Sequence, residues 1–139
     1  MWPFRKKEKK WWKILPGDSL GVMGEKWGCQ YLEKKGYKIL ETNFKNPLGR
    51  RLGEIDIIAQ KGRKIVFIEV KTRALSGLSF GLPEDNINRA KLHKLEKIAA
   101  YYLRKNKLAD REYAFDALSI VYHETTRTAE IKHLEHIFF

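Results

Sequence analysis

One cysteine, Cys29, occurs in 139 residues. No internal disulfide can form, which fits a reducing, cytoplasmic setting. Long apolar runs are missing. The longest, such as Ile65 to Ile68, fall far short of the roughly 20 residues that a bilayer span needs. Acidic residues are few: 28 Lys and Arg face 17 Asp and Glu, a net charge of +11. The expected partner is therefore a polyanion, nucleic acid first and an acidic membrane surface second. The chain is too short for a TIM barrel or a two-domain dehydrogenase. It has no Walker-type glycine loop, which argues against a P-loop nucleotide hydrolase. No internal repeat occurs. Cys29, His93, His123, His133 and His136 do not make the pair of close pairs that a zinc finger needs. His133 and His136 read as terminal packing or exposed residues.

Hydrophobic residues make up 43% and aromatics 12%, enough to build a core. Residues 1–17 read as a separate basic, Trp-rich arm. There Arg5, Lys6, Lys7, Lys9, Lys10 and Lys13 oppose only Glu8, a local +5, and Trp2, Phe4, Trp11 and Trp12 are interleaved. The arm has no apolar h-region, so it does not read as a secretory signal. It suits phosphate contact with stacking on bases, or a membrane interface, or a solvated tail whose aromatics cover a nearby patch.

Residues 18–139 read as one domain. Asp18 or Ser19 can cap a helix to about Lys35, with Leu20, Met23, Trp27 and Tyr31 as its apolar stripe and Gly36 ending it. Tyr37 to Phe44 reads as a strand. Lys45 to Leu52 is a loop. Ile55 to Ala59 and Ile65 to Lys71 flank Lys61-Gly62-Arg63, a hairpin signal. Arg73 to Asp85 reads as a loop. Ile87 or Asn88 to Leu103 is a second helix with Leu92, Leu95, Ile98, Ala99, Tyr102 and Leu103 inside. Glu112 to Tyr122 and Ala129 to Leu134 close the chain as strands. The order α-β-β-β-α-β-β predicts an α/β fold: a mixed β-sheet with a helix on each face.

The hairpin carries the chemistry. Alternate strand residues share a face, which groups Glu54 with Asp56 and Glu69 with Lys71 and Arg73. With Gly62 and Arg63 as the turn, cross-strand partners have numbers summing to 125, so Asp56 stands opposite Glu69. Facing carboxylates repel, and apolar neighbours mark the strands as central, where unpaired charge is costly. A divalent cation between them resolves this. Carboxylate, backbone carbonyl and water oxygens suit Mg2+, with Mn2+ as a substitute, and the Val70 carbonyl is a candidate third ligand. Lys71 reaches the same face and can hold an attacking water or stabilise charge on a phosphoryl group. The competing reading is a structural salt-bridge cluster. A basic rim fits phosphate binding: Arg73 after the active strand, Lys91 and Lys94 on the second helix, Arg50 and Arg51 in the loop before Glu54. Asp116 fits a structural hydrogen bond better than a place in this site.

The Asp56…Glu69-x-Lys71 pattern resembles the signature of the PD-(D/E)XK nuclease superfamily. More closely, the chain resembles the YraN-like family of small bacterial proteins. The matching pieces are Gly24-Glu25, Gly36-Tyr37-x-Ile39-Leu40-x-x-Asn43-Phe44, Gly53-Glu54-Ile55-Asp56, Phe67-Ile68-Glu69-Val70-Lys71-x-Arg73, Phe80-Gly81-x-Pro83, Phe115-Asp116 and a terminal Ile-x-His followed by Phe. Departures are mild: Ile57, Ile68 and Gly28 replace the family's usual residues, and the chain ends Ile137-Phe138-Phe139 instead of in Ala-Phe. The resemblance implies a restriction-endonuclease-like fold related to archaeal Holliday-junction resolvases. It implies a Mg2+-dependent nuclease acting on DNA before RNA, with branched or structured DNA as substrate, and a homodimer. It implies that Asp56 and Glu69 bind metal, that Lys71 is catalytic, and that Glu25 completes the site. The main alternative is a catalytically silent nucleic-acid binder with the same fold. A membrane-surface role for the arm is the third.

Overall fold

The computed structural model describes residues 12–47, 53–86 and 89–137. The chain runs α1 (Leu20–Lys34), β1 (Lys38–Lys45), β2 (Glu54–Lys61), β3 (Lys64–Ala74), two short 3-10 turns (Leu75–Phe80 and Pro83–Asn86), α2 (Arg89–Lys105), β4 (Tyr113–His123) and β5 (Thr128–Leu134). The expected α/β order is the observed one. The five strands form one sheet in the order β1-β2-β3-β4-β5. All neighbours are antiparallel except β3 and β4, which are parallel and are joined by the crossover that contains α2.

Each face of the sheet has its own core. On one side Ile58, Ile65, Phe67 and Phe115 pack under Leu95, Ile98, Ala99, Tyr102 and Leu103 of α2. On the other, Ile57, Ala59, Val66, Ile68, Leu118 and Ile120 pack under Cys29 and Leu32 of α1. The inner side of α2 is thus the one the periodicity marks. α1 differs. Its buried positions are Gly24, Lys26, Gly28, Cys29 and Leu32, and the stripe of Trp27 and Tyr31 is only partly buried. The glycines explain this, because without a Cβ the helix backbone itself can press onto the sheet. A Cβ on Gly24 would overlap the Thr72 hydroxyl of β3, and one on Gly28 would lie 3.1 Å from Leu118 and 3.2 Å from Ile57.

Ser19 caps α1, its hydroxyl accepting from the Val22 N–H at 3.2 Å. Asp18 instead accepts from the Leu15 N–H and from Lys26. Lys26 is 5% exposed, yet its ammonium has the Lys13 carbonyl and the Asp18 carboxylate, each within 3.0 Å. Trp12 packs into the α1-side core, and its carbonyl accepts from Gln30. The preceding residues of the basic arm lie outside the described residues. Strand β3 runs past the expected end at Lys71 and takes in Arg73.

Candidate active site

The hairpin has the expected turn at Gly62 and Arg63. Its partners sum to 125 from Lys61↔Lys64 up to Ile57↔Ile68. There the pairing stops and the strands fork, while β3 continues beside β4 as far as Ala74. The next residue on β2 is Asp56. Its Oδ2 accepts the Val70 N–H at 2.8 Å. A side-chain oxygen thus takes over where a strand carbonyl would sit, which satisfies a donor the fork would otherwise orphan.

Glu69 and Lys71 follow Phe67 on the α2 face of β3. The Lys71 Nζ lies 3.2 Å from Glu69 Oε1, with the two side chains 26% and 15% exposed. Glu54 opens β2, and Gly53 before it has φ 91°, a left-handed turn into the strand that suits glycine. Glu54, Asp56, Glu69, Leu95 of α2 and Asp116 of β4 line one small cavity. Glu25 comes from α1, one residue after the close contact at Gly24, and hydrogen-bonds Asn43 of β1. Asn43 itself has φ 52°, a conformation that Asn tolerates better than most residues.

The carboxylates feel one another. Burial pushes Asp56 up to about 7; Glu25, Glu69 and Glu54 push the same way, and the Val70 bond opposes them. Burial also raises Glu25, against its bond to Asn43 and with help from Glu54. Three of these carboxylates do not converge within 4.8 Å, since Asp56 is turned to Val70 and Glu69 to Lys71.

The remaining expected residues fall around this centre or outside it. Lys91 and Lys94 are exposed on α2, Lys91 one turn before Leu95. The Arg73 Nη1 is 3.5 Å from the Gly77 carbonyl, across the 3-10 turn. Arg50 and Arg51 lie outside the described residues. Sequence reasoning missed two features. One is Asn43, whose signal is an Asn inside a strand pattern. The other is a group formed by Asp116, His133 and Glu135, whose ligand atoms lie within 4.8 Å of one another. No local spacing announces it, because β4 and β5 bring Asp116 and His133 together.

The family model described as "Uncharacterised protein family UPF0102" matches residues 24–120. The chain belongs to the UPF0102 family. A UPF0102 protein of Thermodesulfovibrio yellowstonii is 45% identical over 87% of this chain and 96% of its own length. UPF0102 proteins of Alkaliphilus metalliredigens and Dictyoglomus thermophilum are 43% and 39% identical, over 74% and 86% of this chain and 85% and 97% of their own lengths. The UPF0102 match includes Glu25, Asp56, Glu69, Lys71 and Asp116 and stops before His133. No helix among the described residues of this UPF0102 protein is long and apolar enough to cross a membrane.

Proposed function

We propose that this protein is a Mg2+-dependent nuclease that hydrolyses DNA phosphodiester bonds, with branched or structured DNA as its substrate. The observation that carries the reading is the strand fork, where Glu25, Glu54 and Glu69 crowd Asp56, and Glu69 is paired with Lys71. Gathering carboxylates at a sheet fork costs stability, and a divalent cation offsets that cost. The donors are all hard oxygens, which suits Mg2+ with Mn2+ as a substitute. Mg2+ keeps several waters and is commonly held by one or two carboxylates, so three need not converge. Asp56, Glu69 and the Val70 carbonyl would hold it, and Glu25 would complete the site. When bound, it supplies charge neutralisation at the phosphate oxygens.

The other steps belong to the chain's own residues. Lys71 is aimed by Glu69 and holds the attacking water or the charge that builds on the phosphoryl oxygens. Asp56 keeps the fork in register through Val70. Lys91, Lys94 and Arg73 would contact DNA phosphates, and Arg50 and Arg51 are expected from the sequence to do the same. The restriction-endonuclease-like resemblance of the hairpin supports the same assignment.

Purified protein with Mg2+ or Mn2+ should nick or cut branched DNA. Glu69→Gln and Lys71→Ala should each slow cleavage by about 100-fold or more, with DNA binding retained. Undiminished cleavage by both variants would overturn the assignment. Binding with no cleavage of any DNA would instead favour a silent nucleic-acid binder.

A further inference from the structure

We propose that Asp116, His133 and Glu135 form a second metal site, for Zn2+, next to the strand fork but with its own ligands. It rests on a different set of residues and does not depend on the nuclease reading. Asp116 lies in β4, His133 opposite Leu118 in β5, and Glu135 just past the end of β5. Asp116 and His133 share the α1 face of the sheet with Leu118. Glu69 projects from the other face, on the neighbouring strand β3.

The three ligand atoms already lie within 4.8 Å of one another. Asp116 is 3% exposed, a depth at which a carboxylate needs a reason to be there. Its Oδ1 accepts the His136 N–H at 3.1 Å, and its Oδ2 is 2.7 Å from His133 Nε2. Glu135 is exposed and makes no hydrogen bond or ion pair among the described residues, so one ligand faces solvent with its oxygens open. One imidazole and two carboxylates, with a water in the fourth position, is a donor set that Zn2+ accepts.

The support around His133 fits the same purpose. Its Nδ1 is 3.1 Å from the Tyr31 hydroxyl of α1. Without an ion, Tyr31 donates to Nδ1 and the Nε2–H donates to Asp116. With the ion on Nε2, the ring proton moves to Nδ1 and donates to the Tyr31 oxygen. In both states the outer partner on the second nitrogen orients the ring. The alternative is a His–Asp hydrogen bond that needs no ion. It accounts for His133 and Asp116 but gives Glu135 nothing to do.

The test uses the untagged full chain carrying Asp56→Asn and Glu69→Gln, which removes ligands from the fork. Titration with Zn2+ should show one ion per chain and a higher melting temperature. Co2+ should give the visible absorption of a four-coordinate site. Glu135→Gln, at an exposed position where folding is not at stake, should weaken Zn2+ binding about tenfold or more, and His133→Asn should do the same. Tyr31→Phe should weaken it by about 10- to 100-fold, as for other outer partners of a ligating histidine. The proposal is overturned if the fork variant binds no Zn2+, or if Glu135→Gln and His133→Asn bind it as tightly as their parent.

Discussion

Two carboxylates in this chain are shifted in opposite directions, one chiefly by burial and the other by its hydrogen-bond partners. Asp56 is pushed up to about 7 by burial and by three other carboxylates. Glu84, in the 3-10 turn before α2, is held down at about 2, first by the Ser119 hydroxyl and then by the Lys132 ammonium. Lys132 Nζ is 2.9 Å from Glu84 Oε2. Together the three side chains tie the turn to β4 and β5. Because the folded pKa of Glu84 lies below its ordinary 4.5, the folded chain binds fewer protons than the unfolded one between those values. Its stabilisation is complete above about pH 4.5 and is lost as the pH falls towards 2. Glu84→Gln should therefore cost on the order of 1 kcal/mol at pH 7, a figure discounted for its partial exposure. Urea unfolding across pH checks this: the gap to wild type should narrow below pH 4.5 and close near pH 2. A gap that ignores pH would assign the loss to packing instead.

At the scale of elements, α1 depends on what two of its residues omit. Judged by helix propensity alone, Gly24→Ala should stabilise α1 by about 1 kcal/mol. The contact with Thr72 reverses the sign, because α1 would have to lift off β3. The expected result is a net loss of about 1–3 kcal/mol in chemical denaturation, with α1 content retained. Lifting α1 also withdraws Glu25 from the fork. Gly28→Ala should be milder, since only the methyl ends of Leu118 and Ile57 must give way. This is where sequence legibility ended for α1. Periodicity counts side chains, and here the backbone makes the closest contact. The inner side of α2 was legible because leucine, isoleucine and tyrosine make its contacts. The hairpin register was legible too, since a two-residue turn and strict alternation fix it. The fork was not: Asp56 bonds Val70 once, with no repeating pattern to betray it. The Asp116–His133 pair was hidden for a related reason, with β4 and β5 pairing across 17 positions of chain.

At the scale of the whole molecule, the +11 is unevenly divided. Residues 1–17 hold +5, leaving +6 for a domain that also gathers Glu25, Glu54, Asp56 and Glu69 in one place. A phosphate backbone would meet an acidic centre unless cations flank it on the same side of the sheet. Helix α2 is the described element that can do so, since it covers the face from which Glu69 and Lys71 project and carries Lys91 and Lys94 exposed. If DNA runs along α2, each lysine that neutralises a phosphate releases counterions. Replacing both Lys91 and Lys94 with Ala should then flatten the plot of log affinity against log salt by about 1 per lysine. Fluorescence anisotropy at several salt concentrations measures that slope. Removing residues 1–11 from the same protein separates the arm's share. If only the truncation changes the slope, the arm carries the DNA and α2 does not. If only the lysine variant does, the arm's charge is spent elsewhere, and α2 beside the acidic fork carries the DNA.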